Sequence, residues 1–243
     1  MRVTLFTEYN PSMDNAEGKA NYPEGMNECL RSFLAEHHEV KFFVYGDSDN
    51  PDGSDLTEEV LKATDVLVLW GHWYHGRVDD KVSDLIVEYV NRGMGLMVLH
   101  SGHMSKPFRK IIGGGGQLSW RECGENERVW VVNPAHPIAR GVGQYIDLEH
   151  EEMYGEPFNV PAPDELVFIS WFKGGEVCRS GLVYNRGYGK VFYFRPGHET
   201  LPTYKNEKIR TVLLNAIEYI APKMPVLSTG IPCPEVKTPL EKI

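Results

Sequence analysis

Cysteine is scarce in this sequence, basic residues are outnumbered and long apolar runs are missing; each shortage excludes a class of function. The four cysteines, Cys29, Cys123, Cys178 and Cys233, are scattered through 243 residues with no C-x-x-C pair. Neither a disulfide framework nor a thiolate zinc site is expected, and the thiols read as core or surface residues in a reducing, cytoplasmic setting. Asp and Glu number 34 against 25 Lys and Arg, a formal net charge of −9. With no basic surplus to neutralise phosphates, nucleic acid is not an expected partner. No stretch approaches the roughly 20 apolar residues that span a bilayer, and the opening Met-Arg-Val-Thr-Leu-Phe is too short for a signal peptide, so no membrane partner is expected. The glycine pattern of a dinucleotide site is also missing. The first apolar run is followed by Thr7-Glu8-Tyr9-Asn10, and Gly113–Gly116 lacks the Lys-Ser/Thr that closes a P-loop. That glycine run reads as a flexible loop, and no nucleotide cofactor is expected.

Short, β-branched or aromatic-rich apolar runs are present at Val3–Phe6, Val40–Tyr45, Val66–Trp70 and Leu96–His100. Near-continuous apolarity is what a parallel strand buried on both faces requires. Helical periodicity alternates with them at Pro23–Glu36, at Asp55–Ala63 (opened by Asp55 and Glu58) and at Asp79–Asn91, with Gly93 just beyond. Strand–helix alternation predicts right-handed βαβ units. The second half holds shorter apolar segments at Leu118–Trp120, Val129–Val132, Tyr145–Leu148, Leu166–Trp171, Gly181–Tyr184 and Lys190–Phe194, then a terminal helix over Thr203–Ile220. The expected fold class is α/β: three layers, α/β/α, around a mostly parallel, flavodoxin-like sheet with antiparallel strands added. Residues 1–221 read as one domain. The proline-rich tail 222–243 either wraps the surface or reaches a neighbouring subunit, which leaves a homo-oligomer open.

Nine histidines are the feature that points to chemistry. Ligands of open α/β sheets bind at the carboxyl ends of the strands. Four such exits are Thr7–Asn10, Trp70–Gly76, His100–His103 and Arg195–Glu199, which would meet on one rim. His100 and His198, with a carboxylate from Glu152, Glu151, Glu199 or Glu8, could hold a divalent metal, zinc or manganese. The same groups could work without metal, one imidazole taking a proton and the other, or a glutamate, returning it. Trp70, Trp73 and Tyr74 beside His72 and His75 suit the apolar C–H face of a sugar ring, or else pack their own loop. His103, one turn residue beyond the elbow, is placed in the pocket. Alternation puts His150, Glu152 and Tyr154 on one side of a strand and Glu151 on the other, although four ionisable residues in a row more often form a solvated face. His136 reads as a turn residue and His37 and His38 as solvated.

The segment Val98-Leu99-His100-Ser101-Gly102 resembles the Gly-x-Cys-x-Gly elbow of class I glutamine amidotransferases, with histidine where the cysteine nucleophile belongs. Gly197-His198-Glu199 stands where that superfamily has its partner histidine, without the intervening proline. A histidine cannot form the thioester, so glutaminase activity is not expected. More specifically, the chain resembles the ThuA-like (trehalose utilisation) proteins. Leu99-His100-Ser101 after a glycine-rich strand entry, His136-Pro137-Ile138-Ala139-Arg140-Gly141, Glu151-Glu152-Met153-Tyr154 and Gly187-Tyr188-Gly189-Lys190-Val191-Phe192 leading to His198 fall in order over residues 1–221.

The resemblance implies an amidotransferase-like fold and a small-molecule carbohydrate partner, a disaccharide or keto-sugar. On that reading His100, His198 and Glu152 are catalytic, and the same three are the candidate metal ligands. Glu8, Trp70, His72, Trp73, Tyr74, Ser101, His103, Tyr154 and Glu199 are the substrate-binding candidates. The alternative is a noncatalytic sugar-binding or assembly protein on a degenerate amidotransferase scaffold.

Overall fold

The computed structural model describes residues 1–227, 230 and 232–241. The chain runs β1 (Arg2–Glu8), α1 (Ala16–Asn21), α2 (Met26–Ala35), β2 (Glu39–Tyr45), α3 (Glu58–Lys62), β3 (Val66–Trp70), α4 (Asp80–Asn91), β4 (Gly95–Leu99), α5 (Lys106–Ile112), β5 (Ser119–Val131), β6 (Tyr145–Gly155), β7 (Glu165–Phe172), β8 (Val177–Arg186), β9 (Gly189–Phe194) and α6 (Glu207–Ile220). The nine strands among the described residues join one sheet in the order β2-β1-β3-β4-β9-β8-β7-β5-β6. The first five in that order pair in parallel, and β8, β7, β5 and β6 extend them antiparallel. The parallel part has the flavodoxin-like order, whose ligand crevice lies beyond the strands' carboxyl ends.

Side-chain alternation explains the layering. Val66, Val68 and Trp70 of β3 pack on one face with Leu30 and Phe33 of α2 and Ile209, Val212 and Ile217 of α6. Leu67 and Leu69 pack on the other with Leu61, Ile86, Val90, Phe108 and Ile112 of α3, α4 and α5. A strand buried on both sides gains from being apolar throughout.

Several expected boundaries move for identifiable reasons. Asp55 does not open α3; its carboxylate accepts from Asn50 Nδ2 at 2.5 Å, and Thr57 is the cap residue. The terminal helix begins at Glu207, where Asn206 Oδ1 accepts from the amides of Lys208 and Ile209; residues Pro202–Lys205 form a separate 3-10 turn. The segments expected at Leu118–Trp120 and Val129–Val132 belong to one strand of 13 residues, whose charged middle conceals it from an apolar-pattern reading.

Gly113–Gly116 is no loose loop. Its four residues take positive φ values from 77° to 100°, and a Cβ on Gly115 or Gly116 would fall 2.0 Å from the Asn159 carbonyl oxygen or 2.5 Å from that of His103. The tail turns back on the domain at first, Leu227 N–H donating to the Arg92 carbonyl at 3.1 Å. The part of the tail expectation that falls on residues 228, 229, 231, 242 and 243 lies outside the described residues.

Candidate functional site

The site is built where β1, β3, β4 and β9 end. Strand β4 stops at Leu99 and the chain turns through His100 with φ of 52°, the left-handed value among the described non-glycine residues. Such strain in a non-glycine residue persists where the surroundings over-determine it. Here Gly102 lets the turn close, because a Cβ there would sit 2.8 Å from Val98 Cγ1. The fully buried His100 ring is stacked between Trp70 and Tyr154, at centroid distances of 6.1 and 5.4 Å. Its Nδ1 lies 3.3 Å from the Arg195 carbonyl oxygen. A carbonyl can only accept, so Nδ1 carries the ring proton and Nε2 presents a bare lone pair. Burial, with the neighbouring His72 and His198, holds the His100 pKa well below the ordinary histidine value, so the ring is neutral. Nε2 lies 3.3 Å from Glu152 Oε2, and neither atom has a hydrogen-bond partner.

His72 arrives from the β3 exit, and the exit loop is held by Glu8. The Glu8 carboxylate, fully buried, accepts from the amides of His72, Trp73 and Tyr74 at 3.1, 2.7 and 2.8 Å. Glu8 is therefore a loop anchor, with no oxygen left to face a solute. His72 Nδ1 lies 2.7 Å from Glu199 Oε2, and its Nε2 is 3.7 Å from Glu152 Oε2. Burial lowers the His72 pKa, but the Glu199 hydrogen bond and the charges of Glu199, Glu152 and Glu8 outweigh it and leave the pKa raised. Burial likewise works against the Glu199 carboxylate, yet the His72 bond and the surrounding imidazoles hold it far below the usual range. Ser12 Oγ donates to the same carboxylate.

His198 follows β9, after Gly197 at φ 128°, where a Cβ would fall 2.0 Å from the Tyr204 hydroxyl. Its Nδ1 accepts from the Thr200 amide at 3.2 Å, so its proton sits on Nε2, which is buried and unpartnered. The three imidazole centroids form a triangle with sides of 5.0, 5.0 and 5.5 Å.

Among the described residues, two groups bring three donor atoms close enough for a metal ion: His72–His100–Glu152 and His72–His198–Glu199. His72 is common to both. The expected triple His100–His198–Glu152 is neither of them, and hydrogen bonding favours the first group over the second. His198 points a proton-bearing Nε2 inward, while both oxygens of Glu199 are already bonded to His72 and Ser12. His72 Nε2, His100 Nε2 and Glu152 Oε2 are the donors that fit a cation, each imidazole oriented by an acceptor on its other nitrogen.

Beneath the rim lies a buried ionic cluster that the apolar patterning does not reveal. Arg195, fully buried, donates from NH2 to Glu127, sits 3.2 Å from Glu151 Oε2, and donates from NH1 to the Glu152 carbonyl at 2.7 Å. Glu127 and Glu151 are fully buried too, and Glu152 nearly so. The solvated face expected for residues 149–152 is thus confined to Glu149 and His150, because β6 continues through Gly155 and turns the next two carboxylates inward.

In front of these residues opens a cleft of about 310 Å³. Its polar floor includes His72, Glu152 and Tyr154, and its apolar wall Met104, Leu118 and Trp120. Ser101, hydrogen-bonded to the Tyr154 hydroxyl, and His103 also line it. His103 Nδ1 donates to the Gly116 carbonyl at 2.7 Å, which is what the packed glycine run provides.

The aromatic residues expected to hold a sugar fall elsewhere. Trp70 is fully buried under His100 and donates from Nε1 to the Gly197 carbonyl at 3.0 Å. Trp73, 52% exposed, and Tyr74, covered by the Arg77 guanidinium at 3.5 Å, stand outside the cleft lining. Trp120, which does line it, went unnoticed in the sequence; the signal was its spacing of two from Leu118, which lines the cleft as well.

Residues 6–220 match the family model ThuA, described as trehalose utilisation. The chain belongs to the ThuA family. It is similar to a putative ThuA-like protein of Parabacteroides merdae, with 15% identity, a TM-score of 0.64, and coverage of 95% of this chain and 92% of that one. A cytoplasmic protein of Salmonella typhimurium shares 15% identity at a TM-score of 0.56, over 92% of this chain and 100% of the other. A glutamine amidotransferase of Thermotoga maritima shares 15% identity at a TM-score of 0.50, over 89% and 96%. No curated protein matches. These likenesses carry the fold, which the chain shares with a solved glutamine amidotransferase. Among the described residues, no helix is long and apolar enough to cross a membrane.

Proposed function

We propose that this ThuA-family protein is an enzyme acting on a small carbohydrate, a disaccharide or keto-sugar, with His72, His100 and Glu152 holding a divalent cation and His198 delivering a proton. The observation that carries the proposal is the pair His100 Nε2 and Glu152 Oε2. Two unpartnered lone pairs face each other at 3.3 Å inside the protein. A metal ion held by both atoms removes that repulsion and satisfies both lone pairs at once.

A zinc or manganese ion at this place would polarise a sugar oxygen or activate a water. The rest of the chemistry belongs to the chain. His100 is kept neutral by burial and oriented by the Arg195 carbonyl. His72 is oriented by Glu199; without a cation its proton screens Glu152, and binding one releases that proton. His198 Nε2–H, 3.6 Å from the Glu122 carboxylate and without a hydrogen bond of its own, would donate to an oxygen of the bound molecule. Ser101 and Tyr154 border the cleft with hydroxyls suited to sugar hydroxyls. The cleft volume is at the small end of the range for small-molecule pockets, which suits one or two sugar rings. Family membership supports the carbohydrate class, and a histidine elbow is incompatible with thioester chemistry.

Elemental analysis of purified protein and turnover of a 3-keto-disaccharide test this reading. Stoichiometric zinc or manganese is expected, lost in Glu152→Ala, with turnover abolished in His198→Ala at unchanged folding. Metal-free wild-type protein that binds trehalose but converts no keto-disaccharide would favour a noncatalytic sugar-binding protein instead.

A further inference from the structure

The cleft wall opposite the histidines comes from an irregular stretch of β5. Arg121 pairs with Met153 and Glu125 with Glu151, so three residues, Glu122, Cys123 and Gly124, stand opposite the single residue Glu152. A bulge of this kind re-aims side chains and recurs beside active sites. Its base is fixed, since Arg121 bonds Glu125 at 2.5 Å and Glu176 at 2.8 Å. Gly124 takes a φ of 60°, and its carbonyl accepts from His150 Nδ1 at 3.1 Å.

The bulge has two consequences. Trp120, cross-strand partner of Tyr154, shares the cleft face of the sheet and stays 65% exposed. Glu122 is carried over the site until Oε1 lies 3.6 Å from His198 Nε2, with 66% of its side chain still open to solvent. A flat, exposed indole two residues along the chain from a solvent-open carboxylate matches the two surfaces of a pyranose. The apolar C–H face of the ring suits the indole, and its hydroxyls suit the carboxylate oxygens.

We propose that Trp120 and Glu122 form a sugar-recognition subsite: Trp120 stacks on one pyranose ring and Glu122 accepts hydrogen bonds from its hydroxyls. The proposal rests on the carbohydrate reading given above and adds the residues that recognise the ring. Because the subsite flanks the histidine centre and lies at the mouth of the cleft, it takes the outer ring of a disaccharide. The inner ring faces His72, His100 and Glu152.

Calorimetric titration with trehalose, and separately with glucose, tests the assignment on wild type, Trp120→Ala, Trp120→Phe, Glu122→Ala and a distant control, Trp171→Phe. Trp120 is exposed, so circular dichroism of its variants should match wild type. Trehalose affinity is expected to fall about tenfold in Trp120→Ala and less in Trp120→Phe, and severalfold in Glu122→Ala. The loss should be smaller for glucose, and Trp171→Phe should bind as wild type does. Wild-type binding that persists at full strength in Trp120→Ala and Glu122→Ala overturns the subsite and leaves the carbohydrate reading standing. Wild type that binds neither sugar overturns the subsite, and if it also turns over no keto-disaccharide the carbohydrate reading falls with it.

Discussion

His100 Nε2 and Glu152 Oε2 stand 3.3 Å apart, buried, each without another partner. The elbow fixes the His100 ring, and the bond from Arg195 to the Glu152 carbonyl holds the backbone on the other side.

Glu152→Gln converts this opposition into a hydrogen bond, since the new amide can donate to His100 Nε2. In chelator-treated protein the variant should be more stable than wild type by about 1 kcal/mol, while cation binding and turnover are lost. Urea denaturation with and without EDTA checks it. A variant less stable than wild type under chelation contradicts the lone-pair assignment.

Glu199 orients His72 through Nδ1 and lies outside the proposed ligand set. Glu199→Gln is expected to weaken cation affinity by about 10- to 100-fold with the fold preserved. Competition with a metal indicator reads this directly, and unchanged affinity would show that His72 is not a ligand.

Arg195 holds two buried carboxylates, and burial together with Glu151 pushes the Glu127 pKa up even against the Arg195 charge. Arg195→Met leaves Glu127 and Glu151 without their cation and should destabilise the protein by about 3–5 kcal/mol. Adding Glu127→Gln should recover part of the loss. If the single variant unfolds at the wild-type urea concentration, the cluster contributes little.

Acid stability follows from histidines buried neutral. Burial depresses the pKa of His103 to about 3 and of His75 to about 4, from an ordinary 6.5. Between those values the unfolded chain binds protons that the folded chain refuses, so stability is lost as pH falls below about 6.5. At pH 5 each contributes a loss of roughly 2 kcal/mol. His72 acts in the opposite direction: its raised pKa adds stability below 6.5 that disappears as pH rises through the folded value. His103, His75 and His100, all depressed, outweigh it. Urea midpoints at pH 7.5 and 5.0 should differ, and His103→Gln should reduce the difference. Equal midpoints at both pH values would show that these rings are not buried neutral.

The parallel half of the fold was legible because burial on both faces writes itself as unbroken apolar runs, and Val66–Trp70 matches β3 residue for residue. The antiparallel half was read in fragments. Strands β5 and β6 carry charged residues through their middles, and a strand tolerates these when cross-strand or core partners neutralise them, as Arg195 does for Glu127 and Glu151. Glu8 and Trp70 were legible as strand-exit residues, but their roles were not. Whether such a side chain faces a ligand or props a loop depends on which backbone amides fold over it.

The amino-acid sequence by itself determined the strand–helix alternation, the elbow at His100 and the clustering of histidines at strand ends, since these are properties of local pattern. Tertiary structure decided which histidine nitrogen faces the site. That choice depends on partners far away in the chain: the Arg195 carbonyl for His100 and the Glu199 carboxylate for His72. It also placed Trp120 in the cleft wall and Glu122 beside His198, through a bulge set by the register between two strands. Hydrogen-bond direction and strand register are long-range properties, and neither leaves a local signature in the chain.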